Sequence, residues 1–184
     1  MPASSDRFLR TQKDRPMNAL YHVIRARDLE NVARHGLPEG SSLTSLPEVV
    51  KHFKAAIEQD GQSPIVLVVD LDALDPDRLS PDMSALGSPM EGVLGMSREA
   101  VQDAWDNSGG SWGDSMEIAG SAVYLDEIEA NQLFVLPASG QGPLPLKAHL
   151  DELRHAHDVG SDVLAPDLGS ASPNPSEHKA PGLG

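Results

Sequence analysis

The apolar positions of this chain occur partly as continuous runs and partly at helical spacing. The segment Pro64-Ile-Val-Leu-Val-Val-Asp70 contains five consecutive aliphatic residues, a pattern typical of a strand that is buried on both faces. Shorter apolar runs predict further strands at residues 20–24, 121–125 and 133–136. The pattern therefore predicts a sheet in which residues 65–70 form a central, buried strand.

Four segments have helical spacing: residues 28–35, 46–58, 97–105 and 144–157. Asp28 is the predicted N-cap of the first helix, and Gly36 follows its last turn. Ser45 is the predicted N-cap of the second. Helices and strands mixed in this way favour an α+β fold over a doubly wound sheet.

Composition divides the chain into three regions. Residues 1–17 are polar and predict a loose N-terminal arm. Residues 18–157 carry nearly all of the periodic apolar pattern and predict a single domain. Residues 158–184 are rich in Pro, Gly and Ser and contain no aromatic residue. Such a segment buries too little apolar surface to offset the entropy of ordering, so it predicts a disordered tail.

The charge and the missing cysteines narrow the classes of function. With 28 acidic and 14 basic residues, the formal net charge is −14, which disfavours non-specific binding to nucleic acid or to an anionic membrane. The absence of cysteine excludes a thiol nucleophile and thiolate metal ligands. The sequence has neither a membrane-length apolar run nor the apolar core of a signal peptide at its start. These features predict a cytoplasmic protein that does not associate with membranes.

An acidic segment follows the central strand and first suggests a cation-binding loop. Its aspartates are Asp70, Asp72, Asp75 and Asp77. A calcium loop of this kind requires glycine at its sixth position and glutamate at its twelfth, where this chain has Asp75 and Pro81. We therefore predict a solvated turn here, and we predict no metal site in the chain.

The segment LYHVIRARDLENVARHGLPEGSSLTSLPEVVKHF, which begins at Leu20, carries a more specific pattern. A strand contains Tyr21-His22, a helix exits through Gly36-Leu37-Pro38, and Thr44-Ser45 leads into the next helix. The segment resembles the N-terminal half of ADP-ribosyltransferase-fold domains, which include RNA 2′-phosphotransferase-like and diphtheria-toxin-like groups. VLVVDLDALDPDRL and GSWGDSMEIAGSAVYLDEIEANQLFVL are similar to the central strand and the late strand pair of that family. The resemblance covers about residues 19–137.

This resemblance implies one domain with a split mixed or antiparallel β core and N-terminal helices, in which NAD binds across the split as the substrate. In that family a histidine on the first strand bonds the adenosine ribose, and a second residue, often Tyr, stacks on nicotinamide. A late glutamate holds the nicotinamide ribose. Cleavage of the nicotinamide–ribose bond produces a ribosyl cation, which a nearby carboxylate stabilises. ADP-ribose then passes to an acceptor.

There are three cofactor-binding candidates, two of which are implied by the resemblance. His22 matches the first position; the alternative is a strand-end histidine bonded to backbone. The second position falls in residues 42–45, which contain no aromatic residue, and Thr44 is the candidate contact there. Trp112, in a Gly-Ser-Trp-Gly segment that we expect to form a loop, is a candidate lid or stacking residue. The alternative for Trp112 is an anchor that packs against the domain.

Glu117 is the candidate catalytic residue. Active relatives usually have a glutamate at the start of the late strand, where this chain has Gly120 and Ser121. If residues 116–118 are extended before a turn at Gly120, Glu117 can supply the carboxylate. The alternative is a solvated strand residue.

Three functions are consistent with these residues. The first is an ADP-ribosyltransferase with an unknown acceptor, a protein being favoured over nucleic acid because of the acidic charge. The second is a catalytically degenerate member of the fold that serves as a nucleotide- or protein-binding module. The third is an acidic interaction domain of the antitoxin or immunity type. A glutamate within reach of His22 across a cleft favours the first function over the second, and a flat acidic face without a cleft favours the third.

Overall fold

The computed structural model describes residues 18–138, 140 and 142–161. The chain divides into two units, residues 1–151 and 152–184. The described part of the second unit is the C-terminal portion of one helix, residues 152–161. The predicted arm at residues 1–17 lies outside the described residues, and so do residues 162–184 of the predicted tail.

Seven strands form one sheet: β1 (Ala19–Arg25), β2 (Ser41–Thr44), β3 (Pro64–Asp70), β4 (Leu79–Pro81), β5 (Ser121–Tyr124), β6 (Leu133–Leu136) and β7 (Leu144–Pro145). Their order is β4-β5-β2-β1-β3-β6-β7, and every neighbouring pair is antiparallel. β3 is paired on both sides, and residues 66–69 within it are buried. The predicted α+β class and the predicted position of the apolar run inside the sheet are confirmed.

Seven α-helices are described: α1 (Leu29–His35), α2 (Pro47–Gln59), α3 (Met83–Gly87), α4 (Glu91–Leu94), α5 (Arg98–Asp106), α6 (Trp112–Ala119) and α7 (Leu146–Ser161). The four predicted helices correspond to α1, α2, α5 and α7. Asp28 is the N-cap residue of α1, as predicted, whereas the predicted N-cap of α2 is wrong. The side chain of Asp28 makes no capping bond at α1. The N-cap position of α2 is Leu46 rather than Ser45, and its N–H donates to the hydroxyl of Thr44.

The sheet consists of two parts that meet at a single residue pair. β1 pairs with β3 along seven residues, from Ala19↔Asp70 to Arg25↔Pro64. Its pairing with β2 is limited to Tyr21↔Thr44, whereas β2 pairs with β5 along its whole length. Within the described residues, the edge of β1 from His22 to Arg25 therefore has no strand partner on the side of β2.

The main hydrophobic core covers one face of this sheet. Leu20 and Ile24 of β1 contribute to it together with residues of β3 and β6. Helices α1 and α7 cover that face with Leu29, Val32, Leu146 and Leu150. Because side chains alternate along a strand, His22 lies on the face of Leu20 and Ile24, opposite to Tyr21. A smaller cluster joins α3, α5 and α6 through Leu86, Val101 and Ala119.

Helix α6 occupies the segment for which we predicted a loop followed by an extended stretch, and that prediction is wrong. A capping box forms at its start: the Ser111 hydroxyl accepts the Asp114 N–H at 3.2 Å, and the Asp114 carboxylate accepts the Ser111 N–H at 2.8 Å. These two bonds satisfy N–H groups that a helix start otherwise leaves without partners. Gly120 ends the helix in the left-handed conformation, with φ of 75°.

The acidic segment after β3 forms two short 3₁₀ turns, Leu71–Ala73 and Pro76–Arg78. Asp70 and Asp75 each accept the backbone N–H of the aspartate two residues later. The solvated turn predicted here is confirmed. Within the described residues, no group of three or more His, Asp or Glu side chains is arranged to hold a metal ion. A search of the same residues finds no helix with the length and apolarity needed to cross a bilayer.

Candidate functional site

His22 contacts β2 through its side chain at the place where the two parts of the sheet separate. Its Nδ1 lies 2.8 Å from the carbonyl oxygen of Ser42. A carbonyl oxygen only accepts, so Nδ1 carries the hydrogen, and Nε2 is the acceptor nitrogen of the neutral ring. Burial lowers the pKa of His22, and the bond to Ser42 opposes that shift only in part. The neutral ring is therefore the favoured form.

An open cleft of about 360 Å³ lies beside this contact. Its lining residues are His22, Val23, Ile24, Arg25, Asp28, Phe53, Ala56, Ile57 and Asp60. The edge of β1 forms one wall, and the C-terminal half of α2 forms the other. The cleft thus lies along the part of β1 that has no partner on the side of β2.

Phe53 gives the cleft an exposed aromatic surface. Val49 and Phe53 are four residues apart in α2 and share one face of the helix. Val49 is buried, whereas Phe53 is 46% exposed. Its ring meets His52 edge to face, with centroids 5.7 Å apart. A large apolar side chain left exposed in a cleft is informative, because a planar ligand can stack on it.

The charged groups of the cleft are Arg25, Asp28 and Asp60. The Arg25 guanidinium lies 3.7 Å from the Asp60 carboxylate, and both side chains are substantially exposed, so the pair contributes little to stability. Arg25 Nε is buried and has no hydrogen-bond partner among the described residues, which leaves one donor to be satisfied. With His22 neutral, one cation and two carboxylates give the lining a formal charge of −1.

Thr44 is buried and bonded within the protein. Its hydroxyl donates to the carbonyl of Gly120 and accepts the Leu46 N–H at 3.1 Å. These two bonds hold the end of β2 against the start of β5 and the start of α2. The structure therefore gives the Thr44 hydroxyl a structural role and does not place Thr44 in the cleft of His22.

Trp112 and Glu117 both lie on α6, so their predicted loop and strand positions are wrong. Trp112 is in the first turn, half-buried, and packs against the main core. This is the packing described by the anchor alternative. Glu117 is exposed on the same helix and is not among the residues that line the cleft of His22.

A buried polar cluster that the sequence analysis missed lies behind β2. Asp82 is 5% exposed, and its carboxylate accepts from the Ser42 hydroxyl at 2.6 Å and the Ser121 hydroxyl at 3.0 Å. It also accepts the Ala85 N–H at 3.0 Å, as the N-cap of α3. The Asp82 N–H donates to the Ser115 hydroxyl at 2.9 Å, and that hydroxyl donates to the Ser121 carbonyl at 2.8 Å. An aspartate before a helix is a recognisable cap signal, but its serine partners are 40 and 39 residues away.

Comparisons with protein-family models, with curated proteins and with solved structures found no match. The chemistry of the cleft therefore rests on its own groups. They are an acceptor nitrogen on His22, the partly exposed guanidinium of Arg25, and an exposed ring at Phe53. This combination suits a neutral, planar ligand that carries hydroxyl groups, such as a nucleoside.

Proposed function

We propose that this protein is an ADP-ribosyltransferase-like module that binds NAD at the junction of β1 and β2 and does not transfer ADP-ribose. The observation that carries the proposal is the cleft beside His22, at the point where the sheet is joined by one residue pair. The resemblance of residues 19–53 implies NAD across a split sheet, with a first-strand histidine on the adenosine ribose. The position of the cleft supports that correspondence.

The cleft favours the adenosine half of NAD. His22 Nε2 accepts a ribose hydroxyl, the exposed part of the Arg25 guanidinium donates to a ribose or base acceptor, and Phe53 stacks on the base. A volume of about 360 Å³ is near the lower end of small-molecule sites, so it holds part of NAD only. The lining charge of −1 repels phosphate, which places the pyrophosphate at the mouth of the cleft.

The placement of the acidic groups argues against transfer. Glu117 lies outside the cleft lining, and the start of β5 carries Ser121, whose hydroxyl is bonded to Asp82. Transfer requires a carboxylate beside the nicotinamide ribose, because the positive charge develops there in the transition state. Binding without turnover is therefore the function that this geometry supports best. The cleft itself argues against a purely flat, acidic interaction face.

Isothermal titration with NAD, adenosine and nicotinamide mononucleotide tests the binding. We expect NAD and adenosine to bind, and nicotinamide mononucleotide to bind more weakly. His22→Ala and Phe53→Ala should each weaken adenosine binding by about tenfold, the effect of roughly 1.4 kcal/mol. His35→Ala, at an exposed histidine of α1 outside the cleft, is the matched control. Absence of binding heat with NAD and adenosine, or an equal loss in the control, contradicts the proposal.

One observation supports the transferase as a second candidate: Asp28 lines the same cleft as His22. Chromatographic measurement of nicotinamide release from NAD separates the two functions. The binding module releases none. If the protein does release nicotinamide, two variants identify the catalytic carboxylate. Asp28→Asn abolishes the release if Asp28 supplies that carboxylate. Glu117→Gln abolishes the release if Glu117 supplies it. Either loss should leave the affinity for adenosine nearly unchanged.

A further inference from the structure

The position of the Ser42 carbonyl opposite His22 is not set by a ladder between β1 and β2. β1 and β2 share one residue pair, Tyr21↔Thr44, and the next contact across the gap is the His22 side chain on the Ser42 carbonyl. Ladder bonds normally hold neighbouring strands in register. Here residue 42 is held from the other side, by the pairing of β2 with β5 and by the bond of its own side chain.

The buried carboxylate of Asp82 is placed to do this. Its Oδ2 accepts the Ser42 hydroxyl at 2.6 Å, so the residue whose carbonyl faces His22 is held by its own side chain. The carboxylate is in turn held by the Ser121 hydroxyl and the Ala85 N–H. Bonds to an ionised acceptor are shorter and stronger than neutral ones. A carboxylate with three donors in a buried site is a rigid support.

We propose that Asp82 is a positioning residue that sets the tautomer of His22 through Ser42. Asp82 holds the Ser42 carbonyl against Nδ1, which keeps the hydrogen on Nδ1 and leaves Nε2 as an acceptor. The hydrogen bond made by one nitrogen of an imidazole determines which nitrogen is protonated. Here that bond is to the carbonyl of Ser42, and Ser42 is itself held by the buried carboxylate of Asp82. The consequence for ligand binding rests on the proposed function, whereas the tautomer does not.

Two serines on the same carboxylate oxygen provide a matched pair of variants. Ser42→Ala removes the link between Asp82 and β2 and retains the backbone carbonyl. Ser121→Ala removes the other hydroxyl from Asp82 Oδ2 and leaves the path to His22 intact. Ser42 is an exposed residue, so its truncation should not prevent folding. Ser42→Thr keeps the hydroxyl and serves as the rescue variant.

The tautomer is measured by long-range ¹H–¹⁵N spectroscopy of the ¹⁵N-histidine-labelled protein at about pH 8, where an ordinary histidine is neutral. We expect the parent, Ser121→Ala and Ser42→Thr proteins to show His22 with hydrogen on Nδ1. Ser42→Ala should shift His22 toward hydrogen on Nε2. The proposal is overturned if Ser42→Ala keeps the parent tautomer, or if Ser121→Ala shifts it equally.

Adenosine titration of the same variants separates this inference from the proposed function. We expect Ser42→Ala to bind adenosine about fivefold more weakly than the parent, the effect of one ordinary hydrogen bond, and Ser121→Ala to bind like the parent. The two proposals can fail separately. If neither the parent nor any variant binds adenosine, the nucleotide-binding proposal fails. The positioning role of Asp82 still stands in that case, provided that Ser42→Ala shifts the tautomer as expected.

Discussion

At the scale of single residues, His22 combines burial with a titratable ring. Removal from water disfavours its charged form, and the Ser42 carbonyl compensates only in part. Arg25, Asp28 and Asp60 share the cleft with the ring. The result is a neutral histidine whose Nδ1 donates to the Ser42 carbonyl and whose Nε2 is the acceptor nitrogen. A lysine or arginine at this position would lack the acceptor.

The lowered pKa of His22 predicts a specific dependence of stability on pH. Between the ordinary value of 6.5 and the lower folded value, the unfolded chain binds more protons than the folded protein. The stability associated with neutral His22 is therefore present above pH 6.5 and is lost as the pH falls through this window. Urea unfolding of the parent and of His22→Asn at several pH values between 6.5 and the lower folded pKa measures this loss of stability. We expect the free energy of unfolding of the parent to fall relative to that of the variant.

The exposed histidine at position 35 is the control for this measurement. His35→Asn makes the same change at an exposed position outside the cleft, so it shows what replacing a histidine by asparagine does on its own. A constant difference between the parent and His22→Asn across the window would show that His22 titrates alike in both states.

At the scale of secondary structure elements, sequence patterns identified those with a strong apolar signal. The aliphatic run of β3 and the helical spacing of α1 and α2 appear in the structure at nearly the predicted positions. β2 was missed because three of the four residues in Ser41–Thr44 carry hydroxyl groups, a composition typical of a loop. Helix α6 was missed because of its glycines, although Ser111 and Asp114 form the spacing of a capping box.

The candidate site was less predictable than the fold. His22 follows from its position on a strand, but its wall partner Phe53 comes from α2 and carries no motif of its own. Asp82 matters because the chain brings Ser42 and Ser121 to it from distant positions. The pattern of a single sequence predicts which residues are neighbours along one helix or strand. The contacts of Phe53 and Asp82 depend instead on which elements become adjacent in the fold.

Gly36 joins the end of α1 to the bridge between Leu37 and Ile128. Its replacement should strongly reduce the stability of the fold. Its φ is 74°, and an added Cβ would lie 2.1 Å from the Ile128 carbonyl oxygen, a backbone atom that cannot move aside easily. Leu37 and Ile128 exchange two backbone bonds of 2.9 Å at this point. We expect Gly36→Ala to lower the free energy of unfolding by about 4 kcal/mol or more, at the upper end for single substitutions.

Gly40→Ala is the matched control for that substitution. Gly40 has a similar φ of 78°, but an added Cβ meets nothing within 4 Å. Only the conformational cost remains, about 1–2 kcal/mol. Urea unfolding followed by circular dichroism compares the two variants. Equal losses would show that the contact with Ile128 contributes nothing.

Thr44 links three elements through one hydroxyl, and we expect that hydroxyl to contribute to stability. Thr44→Val replaces it with a methyl group and removes both the bond to the Gly120 carbonyl and the bond from the Leu46 N–H. The free energy of unfolding should fall by roughly 1–3 kcal/mol, since buried partners lose their bonds. Thr44→Ser keeps the hydroxyl and should lose less. If Thr44→Val is as stable as the parent in urea, the structural role of the hydroxyl is wrong.

At the scale of the whole molecule, the net charge of −14 opposes the approach of an anionic ligand. The phosphates of NAD are repelled at low salt, and raising the ionic strength from about 10 mM to about 150 mM shortens the screening length from about 30 Å to about 8 Å. We therefore expect the affinity for NAD to rise by a few fold over this range. Adenosine carries no phosphate, and its affinity should stay constant. Titration calorimetry at several salt concentrations measures both.

A fall in NAD affinity with added salt would contradict this expectation. It would indicate that the phosphates contact a cation directly, and Arg25 is the cation in the cleft lining. Arg25→Gln would then remove the salt dependence. The comparison with adenosine keeps general effects of salt on the protein apart from effects on the phosphates.

The single residue pair between β1 and β2 also has a kinetic consequence. The β4-β5-β2 part is assembled from segments far apart in the chain, with Ser41 paired to Tyr124, and such long loops close late and slowly during folding. The cleft is lined by β1, α2 and residues that follow them, and the bond from His22 to the Ser42 carbonyl requires β2 in its native place. A ligand that depends on this bond recognises the native state and stabilises it by mass action. A transition state in which β2 is not yet in place lacks the bond. Ligand binding should consequently slow unfolding and leave the rate of folding unchanged.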